Sequence, residues 1–264
     1  MHFQKVSVAS ALLALLPATI ASPYGLFNRQ GRSKLGSIPY GADIYRCTVP
    51  GTVAVTYDDG PYIYTNEVLD LLKEFDVKAT FFVTGNNIGK GAIDSASQPW
   101  AGVIRRMESE GHQIASHTWT HQDLSKISEA ERRDEMLKNE AAIKNIIGKY
   151  PTYMRPPYSS CTADSGCTRT MDDLGYHIIY FDVDTDDYNN DTPATIQVAK
   201  NNFARAIDGT SPAQNKFLAI AHDIHEQTAR SLTRFMLETI KKNGYRGVTV
   251  GECFGDAKDN WYRT

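Results

Sequence analysis

From Thr52 onward the chain alternates between two textures, and that alternation limits its fold more than any other feature. Short runs rich in β-branched and aromatic residues read "VAVTY", "ATFFVTG", "HQIASH", "YMRPP", "HIIYFDVD", "KFLAIAHD" and "RGVTV". Stretches with helical spacing separate most of them. Roughly seven strands alternating with helices call for parallel pairing through crossover helices. A closed or nearly closed α/β barrel is the first expectation, and an open doubly wound sheet the second. A length of 264 residues suits a single domain of this kind.

Four helices can be read individually. "SEAERRDEMLKNEAAIKNII" opens on the capping-box pair Ser128 and Glu131 and stops at Gly148. "TNEVLDLLKEF" has Thr65 as its expected N-cap, with Val68, Leu69, Leu72 and Phe75 on one face. "TPATIQVAKNNFARAI" carries Pro193 near its first turn, and "TARSLTRFMLETIKKNG" runs to Gly244.

The first residues have the pattern of a secretory leader. Lys5 precedes an apolar run from Val6 to Leu16, and Thr19 and Ala21 suit the positions before a cleavage point. The run is shorter than a membrane-spanning helix needs. Residues 1–21 are therefore expected to be a signal peptide, 22–46 a loosely held lead-in and 47–264 the catalytic domain. Secretion makes the four cysteines readable as two disulfides. Cys161 and Cys167 would staple a local loop, and Cys47 with Cys253 would tie the domain's two ends together. A net charge of −3 without a long run of one sign gives no case for nucleic acid or an anionic membrane. "NDT" at Asn190 is a glycosylation sequon with Pro193 close behind.

Polar residues gather at the C-terminal ends of the strand runs: Asp58 and Asp59, His117, Arg155, Asp182 and Asp184, then His222 and Asp223. Barrels and open parallel sheets place their ligands on that side. In "HTWTH", His117 and His121 are spaced so that a helix or tight turn offers both imidazoles to one metal. Two histidines and a carboxylate suit a hydrolytic site with open positions. In "DDGP", successive strand residues face opposite ways, so one aspartate could complete the metal site and the other take a proton from water. Arg155 could hold a catalytic carboxylate ionised. His222, after a strongly apolar strand, is a candidate general acid with a partly desolvated ring and a near-neutral pKa.

"TYDDGP", "HTWTH", "RPPY", "DVDTDDY" and "AIAHD", in this order, resemble the five motifs of the polysaccharide deacetylase family, carbohydrate esterase family four. The likeness covers Val53 to Val250, and the leader and cysteine placement look most like its fungal chitin deacetylases. The resemblance implies a deformed (β/α)7 barrel with one divalent metal, zinc or alternatively cobalt. It assigns Asp59, His117 and His121 as ligands, Asp58 as catalytic base and His222 as catalytic acid. Arg155 would steady Asp58, and Asp187 would tune His222. The backbone N–H of Tyr158 would help form the oxyanion hole, and Tyr188 would be an aromatic wall on the acetyl-binding side. By residue type alone, Trp119, Tyr62 and Tyr158 could stack on sugar rings, with Trp119 equally suited to the core. Tyr188 stands where the family commonly has tryptophan. The implied activity is removal of N-acetyl groups from chitin or chitooligosaccharides by a secreted or wall-associated monomer. An acetylxylan esterase using the same site, and a catalytically silent wall-binding protein, are the alternatives.

Overall fold

The first apolar run becomes the middle of a parallel sheet. The computed structural model describes residues 31–264, so the expected leader and residues 22–30 of the lead-in lie outside the described residues. In chain order the strands are β1 (Asp43–Ile44), β2 (Thr52–Asp58), β3 (Thr80–Val83), β4 (Gln113–Ser116), β5 (Tyr150–Pro151), β6 (Tyr153–Met154), β7 (His177–Ile179), β8 (Val183–Asp184), β9 (Phe217–His222), β10 (Arg246–Val248) and β11 (Tyr262–Arg263). The helices are α1 (Thr65–Glu74), α2 (Trp100–Ser109), α3 (Glu129–Ile147), α4 (Cys167–Leu174), α5 (Ile196–Ile207), α6 (Thr233–Lys242) and α7 (Val250–Phe254).

β2 is buried at every position, as expected of a strand paired on both edges and covered on both faces. β9 lies along one edge from Val53↔Phe217 to Asp58↔His222. β10 and β3 share the other, beside Thr52–Ala54 and Thr56–Asp58. The sheet order is β1-β7-β6-β4-β3-β2-β9-β8, with every pairing parallel. β5 and β11 form a separate antiparallel pair.

The sheet is curled into a half-barrel, and the chain itself requires this. β7 lies towards one end of the strand order and β8 at the other, yet only Tyr180, Phe181 and Asp182 connect them. Such a link spans at most about 14 Å, so the two ends of the sheet must come close together. "HIIYFDVD", expected as one strand, is therefore two strands in different places. The break coincides with Arg155, which donates to the carbonyls of Ile179 and Tyr180 from inside the sheet.

Strand alternation sorts the core. Val53, Val55 and Tyr57 face outwards and pack with Leu69, Leu72 and Met236 of the helices. Ala54 faces the inside with Phe82, Ala115, Tyr153 and Leu218. By the same parity Thr56 and Asp58 face inside, as do Ile220 and His222 on β9.

α3 has the expected capping box, and Gly148 follows it at φ 74°. The expectation for Thr65 fails: α1 starts at Thr65 with Tyr64 as its cap. Thr65 Oγ1 accepts from the Tyr62 N–H rather than from a helix N–H, and its hydroxyl donates to Asp223 at 2.5 Å. Nor are residues 31–46 loose. Arg32 donates to Glu140 and to the Leu174 carbonyl, Lys34 meets Asp172, and β1 pairs with β7. The disulfides Cys47–Cys253 and Cys161–Cys167 are both present. Among the described residues no helix is long and apolar enough to cross a membrane.

Candidate active site

The C-terminal ends of β2, β4, β6 and β9 bring the candidate residues together. Parity places Asp58 inside the sheet at the last position of β2, where only 2% of it is exposed. Asp59 leaves the strand with φ 75°, so the two neighbouring carboxylates diverge in a turn rather than by simple alternation. His117 follows β4 directly, and His121 lies beyond a turn in which Thr118 and His121 both have positive φ. The pair is thus carried by a tight turn and not by a helix. The Thr118 hydroxyl accepts from the His121 N–H, and Glu135 of α3 binds the N–H and hydroxyl of Thr120.

Asp59, His117 and His121 each direct one ligand atom into a common space, all within 4.8 Å of one another. His121 Nε2 is 3.2 Å and His117 Nε2 3.7 Å from Asp59 Oδ1. That carboxylate oxygen is buried and has no hydrogen-bond partner. An orphaned buried anion of this kind calls for a cation. His117 Nδ1 sits 2.7 Å from the Arg155 carbonyl. A carbonyl can only accept, so Nδ1 carries the proton and Nε2 keeps a free lone pair. Burial holds His117 neutral by pushing its pKa down to about 3. The three residues therefore fit a divalent metal ion in ligand type and convergence, and His117 in tautomer as well.

Arg155 is fully enclosed. It donates to Asp58 Oδ1 and Thr56 Oγ1, both at 2.7 Å, and its guanidinium lies 4.1 Å from the centre of the Phe82 ring. Burial pushes the Asp58 carboxyl upward, and the Arg155 charge opposes it. A base placed this way keeps some proton affinity while remaining paired.

On the neighbouring strand, His222 stands in register with Asp58. Three nearby acids could have met it, and Asp187 is the one that does. Asp187 Oδ1 is 2.8 Å from His222 Nδ1, while Oδ2 accepts from the His222 N–H and the Thr228 hydroxyl. Asp184 instead accepts from the Tyr188 hydroxyl, and Asp186 from Asn189 and Asn190. Asn190 is buried and donates to Asp186, so the sequon's carboxamide is engaged within the fold. The near-neutral expectation for His222 does not hold. Burial alone would lower its pKa, but the buried Asp187 anion outweighs it and raises the ring to about 10.

Around these groups the rim is aromatic. Tyr158 is 70% exposed, sits at φ 57° and sets its ring against His121. Tyr188 is also exposed and meets His222 edge-on. Trp119 is half-buried, packs on the outer core and covers Gly85, where a Cβ would come within 1.9 Å of the indole.

Sequence reasoning missed a second layer beneath Asp59. Buried Lys90 donates to the Asp59 and Gly60 carbonyls, and Asp223 accepts from the Gly60 N–H. Gly60 has room for no Cβ, which would lie 2.1 Å from Asp223. Asp223 could be noted as a strand-end acid, but Lys90 lies in the polar stretch "GNNIGKG", which carries no signal.

Comparison with known proteins identifies the family. Residues 45–179 match the polysaccharide deacetylase family model. A chitin deacetylase of Colletotrichum lindemuthianum is 46% identical over 263 residues, covering 100% of both chains. One from Pestalotiopsis is 43% identical over 96% of this chain and 78% of its own length. The solved structure of the Colletotrichum enzyme superposes with a TM-score of 0.80 at 45% identity, covering 86% of this chain and 97% of that one. With the family model spanning the strands that lead to Asp58, His117 and Arg155, and the Colletotrichum relative matching the whole chain, the chain belongs to the polysaccharide deacetylase family.

Proposed function

We propose that this protein is a metal-dependent hydrolase that removes N-acetyl groups from β-1,4-linked N-acetylglucosamine chains, releasing acetate. The observation that carries this reading is the juxtaposition of Asp58 with His222 in register across β2 and β9, beside the Asp59–His117–His121 cluster. Amide hydrolysis needs a base for water and an acid for the departing amine. Asp58, paired with Arg155, is the base, and His222, charged through Asp187, is the acid. Asp59, His117 and His121 hold the metal, with zinc the choice their donor set favours and cobalt the alternative. A divalent ion bound there supplies Lewis acidity that activates water and polarises the acetyl carbonyl.

Asp58 takes the proton from the attacking water, and the Tyr158 backbone N–H donates to the carbonyl oxygen as negative charge develops. His222 then delivers its Nε2 proton to the amine nitrogen, with Nδ1 held by Asp187. Tyr188 and Tyr158 offer rings for sugar faces. Trp119 contributes chiefly by shaping the His-bearing turn over Gly85. The names of the fungal relatives, both chitin deacetylases, favour chitin or its oligomers as substrate. Two disulfides favour an oxidising destination, in line with a secreted or wall-associated protein.

Acetate release from chitin oligomers, acetylxylan and peptidoglycan sugars, each with a chelator and with added zinc, tests the proposal. Zinc-restored release from chitin oligomers is expected. Preferential release from acetylxylan would make the protein an esterase, and no release from any substrate would leave only a binding role.

A further inference from the structure

We infer that Lys90 is a positioning residue that fixes the turn carrying Asp59 and thereby sets how tightly Asp59, His117 and His121 hold a metal ion. The inference rests on the proposed metal site and not on the proposed substrate.

Lys90 is 4% exposed. Burying a lysine head group is costly unless each of its donors is satisfied. Its Nζ has three acceptors: the Asp59 carbonyl at 2.9 Å, the Gly60 carbonyl at 2.9 Å and Thr84 Oγ1 at 2.8 Å. The three oxygens match the three N–H donors of an ammonium, a form that burial disfavours by pushing the group down to about 7 and that the Asp223 and Asp59 charges favour. Thr84 closes the ring by donating its own hydroxyl to the Asp59 carbonyl at 2.5 Å. Beneath the turn, Asp223 accepts from the Gly60 N–H at 3.1 Å. Asp59 itself stands at φ 75°, a left-handed conformation that costs an L-residue energy and persists only when its surroundings impose it. Lys90, Thr84 and Asp223 are what impose it.

The segment around Lys90 is shaped for this task. Ile88, Gly89 and Gly91 all have positive φ, and the Lys90 carbonyl is pinned by the Trp100 indole N–H at 2.7 Å. The same loop holds the other ligand-bearing segment, because Gly85 N–H donates to Thr118 and Asn86 N–H to Trp119. One loop therefore grips both the Asp59 turn and the turn between His117 and His121. Groups behind a ligand that orient it commonly change metal affinity about 10–100-fold when removed.

The role can be separated from a simple charge effect because the two predict different outcomes. A positive charge near a dication site repels the ion, so if Lys90 acted only through whatever charge it carries, Lys90→Met would bind zinc as tightly as the parent or more tightly. If Lys90 positions the turn, Lys90→Met binds zinc more weakly. The experiment is zinc titration of the folded full-length protein against a chromophoric chelator, with no substrate present, alongside thermal unfolding of the metal-free protein. The zinc dissociation constant of Lys90→Met is expected to rise about tenfold or more. Thr84→Val, nearly isosteric and without change of charge, should raise it in the same direction by a smaller factor, and it carries the test if Lys90→Met does not fold. A dissociation constant that falls, or stays within about threefold of the parent for Lys90→Met and within error for Thr84→Val, overturns the inference, even if the melting temperature drops. Because no substrate is used, failure here leaves the deacetylase reading untouched, and failure of that reading leaves this result standing.

Discussion

Replacing Asp187 by Asn should disable the proposed acid without dismantling the site. In the parent, the buried Asp187 carboxylate lifts His222 from 6.5 to about 10 against the opposing effect of burial. At about 1.4 kcal/mol per pH unit, this is roughly 5 kcal/mol of preference for the charged ring. Asn fills the same space but brings no charge; its Oδ1 can accept from the His222 N–H and the Thr228 hydroxyl, which leaves its N–H₂ facing His222 Nδ1, a pairing that favours the neutral ring. With the Asp187 charge gone, burial is opposed only by the smaller pull of the Asp58 and Asp59 carboxylates, so the ring loses much of its proton affinity and should be largely neutral at alkaline pH. Turnover at that pH should then drop by about 100-fold or more, the usual loss for a general acid.

The assay is kcat/KM on a chitin oligomer across the pH range at saturating zinc, for parent and variant. A bound dication lowers both profiles together, so the difference between them carries the test. The alkaline limb should move to lower pH in Asp187→Asn, because the largest charge that raises His222 is removed. Stability follows the same pair. His222 is raised in the folded state, so its contribution is complete below 6.5 and is lost as pH rises through about 10. Asp187 is lowered, so its contribution is present above its ordinary 3.8 and lost as pH falls below that. The melting-temperature gap between the two proteins should therefore be widest between those limits and close at alkaline pH. An alkaline limb at the same pH in both proteins would refute the role given to Asp187.

Asp58→Asn should keep its zinc and lose about 100-fold or more in turnover, whereas Asp59→Asn should lose zinc affinity and recover part of its activity in excess zinc. Metal content and acetate release across a zinc titration distinguish the two, and rescue of Asp58→Asn alone would reverse the roles. The two disulfides should differ in weight. Cys47–Cys253 closes a sequence separation of 206 and Cys161–Cys167 one of 6, worth about 5 and about 2 kcal/mol in the loop-entropy description. Denaturant unfolding of the two paired Cys→Ser variants should show the larger loss for Cys47 and Cys253, and equal losses would contradict that ordering.

Much of this protein is legible locally. Period-2 alternation put Ala54, Thr56 and Asp58 on one face of β2, because adjacent strand residues must point opposite ways. The spacing of His117 and His121, the capping box at Ser128 and the two cysteine pairs are likewise properties of near neighbours or of simple counting. Tertiary structure decided the choices that those patterns leave equal. Asp182, Asp184, Asp186 and Asp187 look alike in sequence, and only the approach of β9 gives Asp187 to His222. "HIIYFDVD" reads as one strand, but Arg155, reaching in from β6, captures the Ile179 and Tyr180 carbonyls between its two halves. Thr65 has the chemistry of a cap, yet it sits inside the first turn, where its oxygen accepts from the Tyr62 N–H and its hydroxyl donates to Asp223, more than a hundred and fifty residues on. Lys90 carries no motif at all, because its role depends on three oxygens that meet only when β2 and β3 are side by side. Backbone patterns reflect steric rules acting over a few residues, whereas charge pairing inside a low-dielectric core depends on which distant groups packing brings into contact.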